Sequence, residues 1–343
     1  MAIRVAINGF GRIGRAFLRN VIERNDDSIQ VVAINDLGDV DNLAYLLEFD
    51  TAYGRAHLDI ATTASSLVVN GSEIAFLQLK DPAQLPWADM HIDVVLESTG
   101  FFTKYEGAKL HLDAGAKKVV ISAPAKGDPV PGVESATVLM GINDEQLDTC
   151  QISSNGSCTT NASSPVMQVL HEAIGVEKAI LTTVHGYTAT QRLQDSPSKD
   201  YRKGRAAAQN IIPTTTGAAI AVTKVITDLE GKFDGLAMRV PVIVGSIADI
   251  TFVSSRDTTV EEVNTLFKQA AQEKRWAGVL SVTEEPLVSS DIIGQKYGAI
   301  VDLGFTRVVG GNLVKVLSWY DNEAGYTNTL VEHVLTTGRA LYK

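Results

Sequence analysis

The run Ile3-Arg4-Val5-Ala6-Ile7-Asn8-Gly9-Phe10-Gly11-Arg12-Ile13-Gly14 decides the fold. A short apolar, β-branched strand leads directly into G-x-G-x-x-G. The residues that follow have helical spacing, with Phe17, Leu18, Val21 and Ile22 on one face. Each glycine has its own duty in such a turn. The first makes the tight bend, the second lets backbone approach a pyrophosphate, and the third lets the helix pack on the sheet. The helix amides then face the phosphates. Gly9, Phe10, Gly11, Arg12, Ile13 and Gly14 are therefore candidate dinucleotide contacts, with Arg12 expected to border the pyrophosphate. Read alone, the motif also describes an ordinary glycine turn.

Working outward, a second apolar run, 29–35, ends at Asp36, 22 residues after Gly14. A carboxylate there accepts hydrogen bonds from ribose hydroxyls and repels a 2′-phosphate, so NAD is expected rather than NADP. Further short runs at 93–96, 119–122, 137–140 and 152–154 alternate with helical stretches, the pattern of a parallel α/β sheet. Gly115 is expected to end a helix between two of them. Ligands in such sheets lie beyond the carboxyl ends of the strands. That makes Ser98, Thr99, Gly100 and Ser122 cofactor candidates.

From Cys158 the character changes. A helix is expected from near Cys158 to Gly175, with a kink or a late start at Pro165. A strand at 178–185 follows, then a long polar stretch, 186–210, of a length usually kept for function or partner contact. Strand-rich sequence occupies 236–239, 242–252, 278–282, 299–302 and 314–320. An amphipathic helix is expected at 260–271 and a final helix at about 324–342.

Ser154-Asn155-Gly156-Ser157-Cys158-Thr159-Thr160-Asn161 places a cysteine where a helix begins. Helix-start amides depress a thiol pKa, and the Cys158 amide could steady an oxyanion. Taken alone, the segment admits a buried structural cysteine equally well. His185 ends the next strand, 27 residues on, and a histidine so placed can activate a thiol and move its proton. The other histidines, at 57, 91, 111, 171 and 333, have no such setting and read as surface or satisfied residues. Cys150 reads as structural.

With those segments in place, the chain resembles the glyceraldehyde-3-phosphate dehydrogenase family along nearly its whole length. The resemblance is carried by the segments already quoted and by Tyr53-Gly54-Arg55, Thr188-Ala189-Thr190-Gln191, Gln209-Asn210-Ile211-Ile212-Pro213, Thr216-Gly217-Ala218-Ala219, Arg239-Val240-Pro241 and Ser318-Trp319-Tyr320-Asp321-Asn322-Glu323. It implies an α/β fold with a Rossmann-type NAD-binding domain, residues 1–157, to which a C-terminal helix, 322–343, returns. An α+β catalytic domain with a mixed or antiparallel sheet would occupy 158–321. Cys158 would be the nucleophile and His185 the base. Thr188 and Arg239 would hold the substrate phosphate. Ser157, Thr159, Thr216 and Gly217 would hold inorganic phosphate, with Arg239 reaching between the two. Asn322 would hold the nicotinamide carboxamide, with Tyr326 near the ring. The stretch 186–210 would lie at a subunit interface of a homotetramer.

Several positions depart from the family pattern: Gly156, Ala162, Gly186, Ile220 and Val244-Gly245-Ser246. The last two bear on interface detail and local charge. Erythrose-4-phosphate dehydrogenase is the alternative, disfavoured by Leu37, Thr188-Ala189-Thr190-Gln191 and Thr216-Gly217. An NADP-preferring relative is opposed by Asp36, Leu37 and Pro197.

Bulk properties agree. A chain of 343 residues suggests two domains. A net charge of -10 disfavours nucleic acid and anionic membranes, and Arg202, Lys203 and Arg205 are expected to concentrate positive charge near the site. A non-catalytic NAD- or RNA-binding protein is opposed by that charge and by the intact Cys158, His185 and Arg239. Two cysteines are too few for a disulfide framework. No run approaches a membrane span, the N-terminus reads as a strand and not as a signal peptide, and no metal set is apparent. A cytoplasmic enzyme acting on glyceraldehyde 3-phosphate and inorganic phosphate is expected.

Overall fold

The computed structural model describes residues 2–343. They form two compact units: residues up to 138, 143–156 and 330–343 in the first, 139–142 and 157–329 in the second.

The first unit is built on β1 (Ile3–Asn8), α1 (Arg12–Arg24) and β2 (Ile29–Asn35). Then come α2 (Val40–Glu48), a two-residue hairpin of β3 (Phe49–Asp50) and β4 (Gly54–Arg55), and a meander of β5 (Ile60–Thr63), β6 (Ser66–Val69) and β7 (Ser72–Leu77). β8 (Val94–Glu97), α3 (Tyr105–Asp113), β9 (Lys118–Ile121), β10 (Ser135–Thr137) and β11 (Ile152–Ser154) complete a nine-stranded sheet in the order β10-β11-β9-β8-β1-β2-β7-β6-β5. Every pairing from β10 to β7 is parallel, and the β5–β6–β7 edge is antiparallel. β1 is buried along nearly all its length, as a central parallel strand covered on both faces must be. Chain order reverses at β1, between β8 and β2, and such a reversal opens a crevice at the strands' carboxyl ends. Gly115 ends α3 as expected, at φ +102°, where an added Cβ would lie 2.5 Å from that of Ala88.

The second unit holds α4 (Cys158–Ile174), β12 (Val176–Gly186), β13 (Ile212–Thr215), α5 (Ala218–Thr223), β14 (Phe233–Val240), β15 (Ser246–Ser254), α6 (Val260–Ala270), β16 (Leu280–Thr283), β17 (Ala299–Val309) and β18 (Leu313–Tyr320). Its sheet runs β13-β14-β12-β15-β18-β17-β16, mixed but mostly antiparallel. On β12, β15 and β18, alternate residues turn toward a core of α4, α5 and α6 side chains, including Val166, Leu170, Val222 and Phe267. α4 begins at Cys158 and runs unbroken through Pro165, so the late start does not occur. The Ser157–Thr160 capping box fixes that start: Thr160 N–H donates to Ser157 Oγ at 3.1 Å, and Ser157 N–H to Thr160 Oγ1 at 3.2 Å.

The last helix, α7, is Ala324–Arg339, and residues 330–343 group with the first unit. There Arg24 pairs with Glu332 at 2.5 Å, Tyr342 donates to Asp93 at 2.8 Å, and Lys343 pairs with Asp148 at 2.6 Å. Gly338 lies so close to β1 that a Cβ would meet Ile3 at 2.5 Å. No helix of the described residues is long and apolar enough to cross a membrane.

Candidate functional site

In the first unit, the crevice beyond β1, β2 and β8 is a cavity of about 510 Å³. Gly9, Gly11, Asp36, Ser98 and Thr99 line it, as do Asn8, Asn35, Leu37, Leu79, Lys80, Phe101 and Phe102. Gly9, at φ +97°, has Thr99 N only 2.6 Å from where a Cβ would stand, and a Cβ on Gly14 would lie 2.3 Å from Gly9 O. Both positions are closed to any side chain. At Gly11, by contrast, a Cβ would meet nothing within 4 Å, so the backbone there stands open to the cavity. Gly11 also caps α1 without a side-chain hydrogen bond. Asp36 Oδ2 accepts the Phe10 amide at 2.7 Å and Oδ1 the Gly38 amide at 2.8 Å, which fixes the carboxylate at the cavity wall. An open helix-start backbone, a fixed carboxylate and an apolar wall of Leu37, Phe101 and Phe102 fit a dinucleotide.

The remaining cofactor candidates in this unit lie outside the cavity lining. Phe10 is buried, and Ile13 and Gly14 belong to α1. Arg12 does not border the cavity: its guanidinium pairs with Asp50 at 2.5 Å and lies 5.8 Å from the Tyr53 ring centroid. Gly100 turns the chain at φ +75°. Ser122 follows β9, its amide donating to Glu97 O at 2.9 Å.

In the second unit, the helix start of α4 and the carboxyl end of β12 bring Cys158 Sγ to 3.3 Å from His185 Nε2. Parallel pairing of β12 with β14 sets His185 directly beside Arg239. His185 Nδ1 lies 2.7 Å from Gly186 O and 2.7 Å from Arg239 Nη1, which also donates to Gly186 O at 3.0 Å. A carbonyl only accepts and a guanidinium only donates, so Nδ1 can satisfy one of them at a time. Nδ1–H donating to Gly186 O leaves the Nε2 lone pair facing the sulfur.

Burial is the largest influence on both groups. It pushes the Cys158 thiol up, against the opposing pull of Arg239 and then of the Thr159 amide and hydroxyl. The depression expected from the helix start is therefore outweighed in the free protein by desolvation. Burial, followed by Arg239, pushes His185 down to about 3, which keeps the imidazole neutral and able to accept a proton.

Tyr320, at the end of β18, is a site residue the sequence reading passed over. Its ring meets His185 edge-on at 5.8 Å, and its hydroxyl lies 2.9 Å from Thr159 Oγ1 and 2.7 Å from Thr183 Oγ1. Burial raises its phenol above the ordinary value. The alternation of β18 was a signal for an inward-facing residue there, but its neighbours come from β12 and α4 and are not local.

Among the phosphate candidates, Thr159 is buried against Tyr320, and Ser157 is engaged in the capping box. Thr188 Oγ1 lies 3.0 Å from Thr190 Oγ1 on an exposed turn, Thr216 Oγ1 accepts the Ala218 amide at 3.2 Å, and a Cβ on Gly217 would meet nothing within 4 Å. Arg239 Nε is buried with no partner among the described residues, a donor that suits an anion. Asn322 Oδ1 accepts from Gly245 N–H at 3.2 Å and Ser246 Oγ at 2.9 Å, which orients its carboxamide. Gly245, one of the departures, has φ +96°, and a Cβ there would lie 2.3 Å from Ser289 O. Tyr326 is buried near the start of α7. Two of the basic triplet are paired with carboxylates: Arg205 with Asp195 at 2.8 Å and Lys203 with Asp200 at 3.7 Å.

Comparison with known proteins agrees with both units. Residues 3–105 match the family described as glyceraldehyde 3-phosphate dehydrogenase, NAD binding domain, and residues 157–322 match its C-terminal domain. The chain is 47% identical over 343 residues to glyceraldehyde-3-phosphate dehydrogenase 2 of Streptomyces avermitilis, covering 99% of this chain and 100% of the other. It is 48% identical over 334 residues to glyceraldehyde-3-phosphate dehydrogenase of Geobacillus stearothermophilus, covering 97% of each. With the Mycobacterium leprae protein of that name, identity is 48% over 347 residues, covering 99% of this chain and 100% of the other. A nucleotide crevice in the first unit, a cysteine–histidine–arginine set in the second and likeness over nearly every residue lead to one conclusion: the chain belongs to the glyceraldehyde-3-phosphate dehydrogenase family.

Proposed function

We propose that this chain carries out the NAD-dependent, phosphorylating oxidation of glyceraldehyde 3-phosphate to the acyl phosphate 1,3-bisphosphoglycerate. The observation that carries this reading is the 3.3 Å approach of Cys158 Sγ to His185 Nε2, with Arg239 alongside. His185 Nε2 takes the thiol proton as sulfur adds to the aldehyde carbon, and the proton passes to the new carbinol oxygen. The Cys158 amide, at the helix start, donates to that oxygen. NAD, when bound, supplies the acceptor for the hydride. As the C–H bond breaks, His185 takes the carbinol proton and a thioester remains on Cys158. A phosphate oxygen then attacks the thioester carbonyl, the C–S bond breaks, and the departing sulfur is steadied by Arg239 and the Thr159 amide.

Gly9, Gly11, Asp36, Ser98 and Thr99 are assigned to the cofactor's phosphates and ribose, with Phe10, Arg12, Ile13, Gly14, Gly100 and Ser122 shaping the surrounding turns. Asn322 and Tyr326 are assigned to the nicotinamide. Arg239 and Thr188 are assigned to the substrate phosphate, and Ser157, Thr159, Thr216 and Gly217 to inorganic phosphate. The unpartnered Arg239 Nε supports an anion beside the nucleophile. Residues 1–157 with the returning C-terminal helix form the cofactor domain and 158–321 the catalytic domain. A homotetramer is favoured by the second sheet. Helices cover one face, while Val184, Met238, Ile247 and Trp319 sit side by side on the other and are only partly buried. Two free thiols suit the cytoplasm.

Purified protein given glyceraldehyde 3-phosphate, NAD and phosphate should raise absorbance at the reduced nicotinamide band, and Cys158→Ser should remove at least about 10³-fold of the rate. Faster turnover of erythrose 4-phosphate would overturn the substrate assignment. A preference for NADP would overturn the reading of Asp36.

A further inference from the structure

Beneath the dinucleotide cavity runs a row of buried polar side chains that the chemistry at Cys158 does not use. Glu97, Asn8 and Asn35 end the adjacent strands β8, β1 and β2, in register with one another. Glu97 and Asn8 are each 1% exposed, and Asn35 is 5% exposed. Asn8 Nδ2 donates to Glu97 Oε2 at 2.6 Å. Asn35 Nδ2 donates to Asn8 Oδ1 at 2.7 Å and to Leu79 O at 2.9 Å, and Leu79 N–H donates back to Asn35 Oδ1 at 2.9 Å.

On the other side of Glu97 lies His111, fully buried on α3. Trp87 Nε1 donates to His111 Nδ1 at 3.0 Å, and an indole N–H can only donate. The imidazole therefore carries a proton on Nε2, which donates to Glu97 Oε2 at 3.1 Å. The Thr99 amide donates to Glu97 Oε1 at 2.8 Å, and the Thr99 hydroxyl donates to the same oxygen. Four donors thus converge on two oxygens, which are left the accepting role alone.

The row consequently has a direction. Trp87 fixes one end and the backbone of Leu79 the other. The two carboxamides between them each have two orientations, and only one agrees with both ends. Asn8, Asn35, Leu79 and Thr99 all line the cavity. We propose that Glu97, held by His111, is a positioning residue for dinucleotide binding: it sets the direction of the Glu97–Asn8–Asn35–Leu79 row and closes the Thr99 turn, so that the cavity is formed before the cofactor arrives. This rests on the reading of that cavity as the NAD site.

The test is calorimetric titration of NAD into the cofactor-free full chain. Glu97→Gln puts an N–H₂ against donors and turns Asn8, so that two amide donors then meet at Asn35. The Kd should rise about tenfold, the scale of one misdirected buried hydrogen bond. Asn35→Asp opposes the row from its other end and should cost a similar factor. Carrying both substitutions lets the row run the other way near Asn8, from the new carboxamide at position 97 through a turned Asn8 to the new carboxylate at position 35. The double variant should therefore bind NAD clearly more tightly than the product of the two single losses requires. Losses that simply multiply would overturn the proposal. So would an unchanged Kd in Glu97→Gln, even with a lowered melting temperature, because that is the outcome of a purely structural role. Should Glu97→Gln not fold, Thr99→Val removes one donor from a partly exposed turn and should raise the Kd about threefold, with an unchanged Kd again overturning the idea. Wild-type protein that binds no NAD would instead overturn the cofactor reading itself.

Discussion

Arg239 acts on both Cys158 and His185, and it does so from a neighbouring strand. Its charge draws the Cys158 thiol down against the larger effect of burial, and it adds to the burial that holds His185 at about 3. Removing the charge therefore has a definite sign for the sulfur. In Arg239→Leu the thiolate forms less readily, and the inflection in iodoacetamide alkylation of Cys158 moves to higher pH. At neutral pH the alkylation rate should fall by roughly the tenfold per pKa unit that the lost interaction represents. An inflection at the same pH in both proteins would show that Arg239 acts on bound anions alone. His333 is another deeply buried imidazole, 2.7 Å from Ser153 Oγ and 3.2 Å from Asn155 Oδ1, and burial holds it at about 3. Its folded value lies below the unfolded value near 6.5. Its contribution to stability is thus complete above about pH 6.5 and is lost as pH falls from there toward 3, at about 1.4 kcal/mol per pH unit. His333→Gln should flatten the acid side of a urea-midpoint profile by about one proton, and parallel profiles would refute this.

At the scale of elements, the β12–β14 pair carries the site. Leu181 lies opposite Gly235, and a Cβ on Gly235 would sit 2.7 Å from Leu181 O and 2.9 Å from Leu181 Cβ. A side chain there must spread the two strands four residues before Arg239 meets His185. Gly235→Val should destabilise the fold by about 1–3 kcal/mol and lower kcat more than cofactor affinity. Equal kcat in the folded variant would show that the strand pair absorbs the change. The same pair marks the limit of what the sequence discloses. β1, α1 and β2 were legible because a strand, a glycine turn and a helix announce themselves within thirty residues. Cys158 was legible as a helix start for the same reason. The short elements α2 and β5–β7 were not singled out, since four- to nine-residue runs with mixed burial give little periodicity. The placing of Arg239 beside His185, of Tyr320 over Thr159 and of Glu97 between Asn8 and His111 follows from strand order, which no local pattern encodes. The desolvation that pushes the Cys158 thiol up is likewise not legible, because a helix start is a local pattern and the packing around the sulfur is not.

For the whole molecule, the open face of the second sheet is where we propose that copies of the chain meet. Cross-strand register lines up Met238, Val184, Ile247 and Trp319 across four strands on the face turned from α4, α5 and α6. Leu236, Thr182, Asp249 and Leu317 form the next row, and Ile180 stands 55% exposed beyond it. A sheet face of this composition loses little by meeting a second copy of itself, since the polar members are few and Asp249 already pairs with Lys315. A charge in the middle of the apolar row would be buried unpaired in any such contact, at a cost of several kcal/mol per contact. Ile247→Glu should therefore sediment as a smaller species than wild type at micromolar concentration. The isolated chain should keep its fold, because Ile247 faces away from the core that α4 and α6 share with β15. If Ile247→Glu and wild type sediment alike, the sheet face is not where copies of this chain meet, and the homotetramer needs another surface.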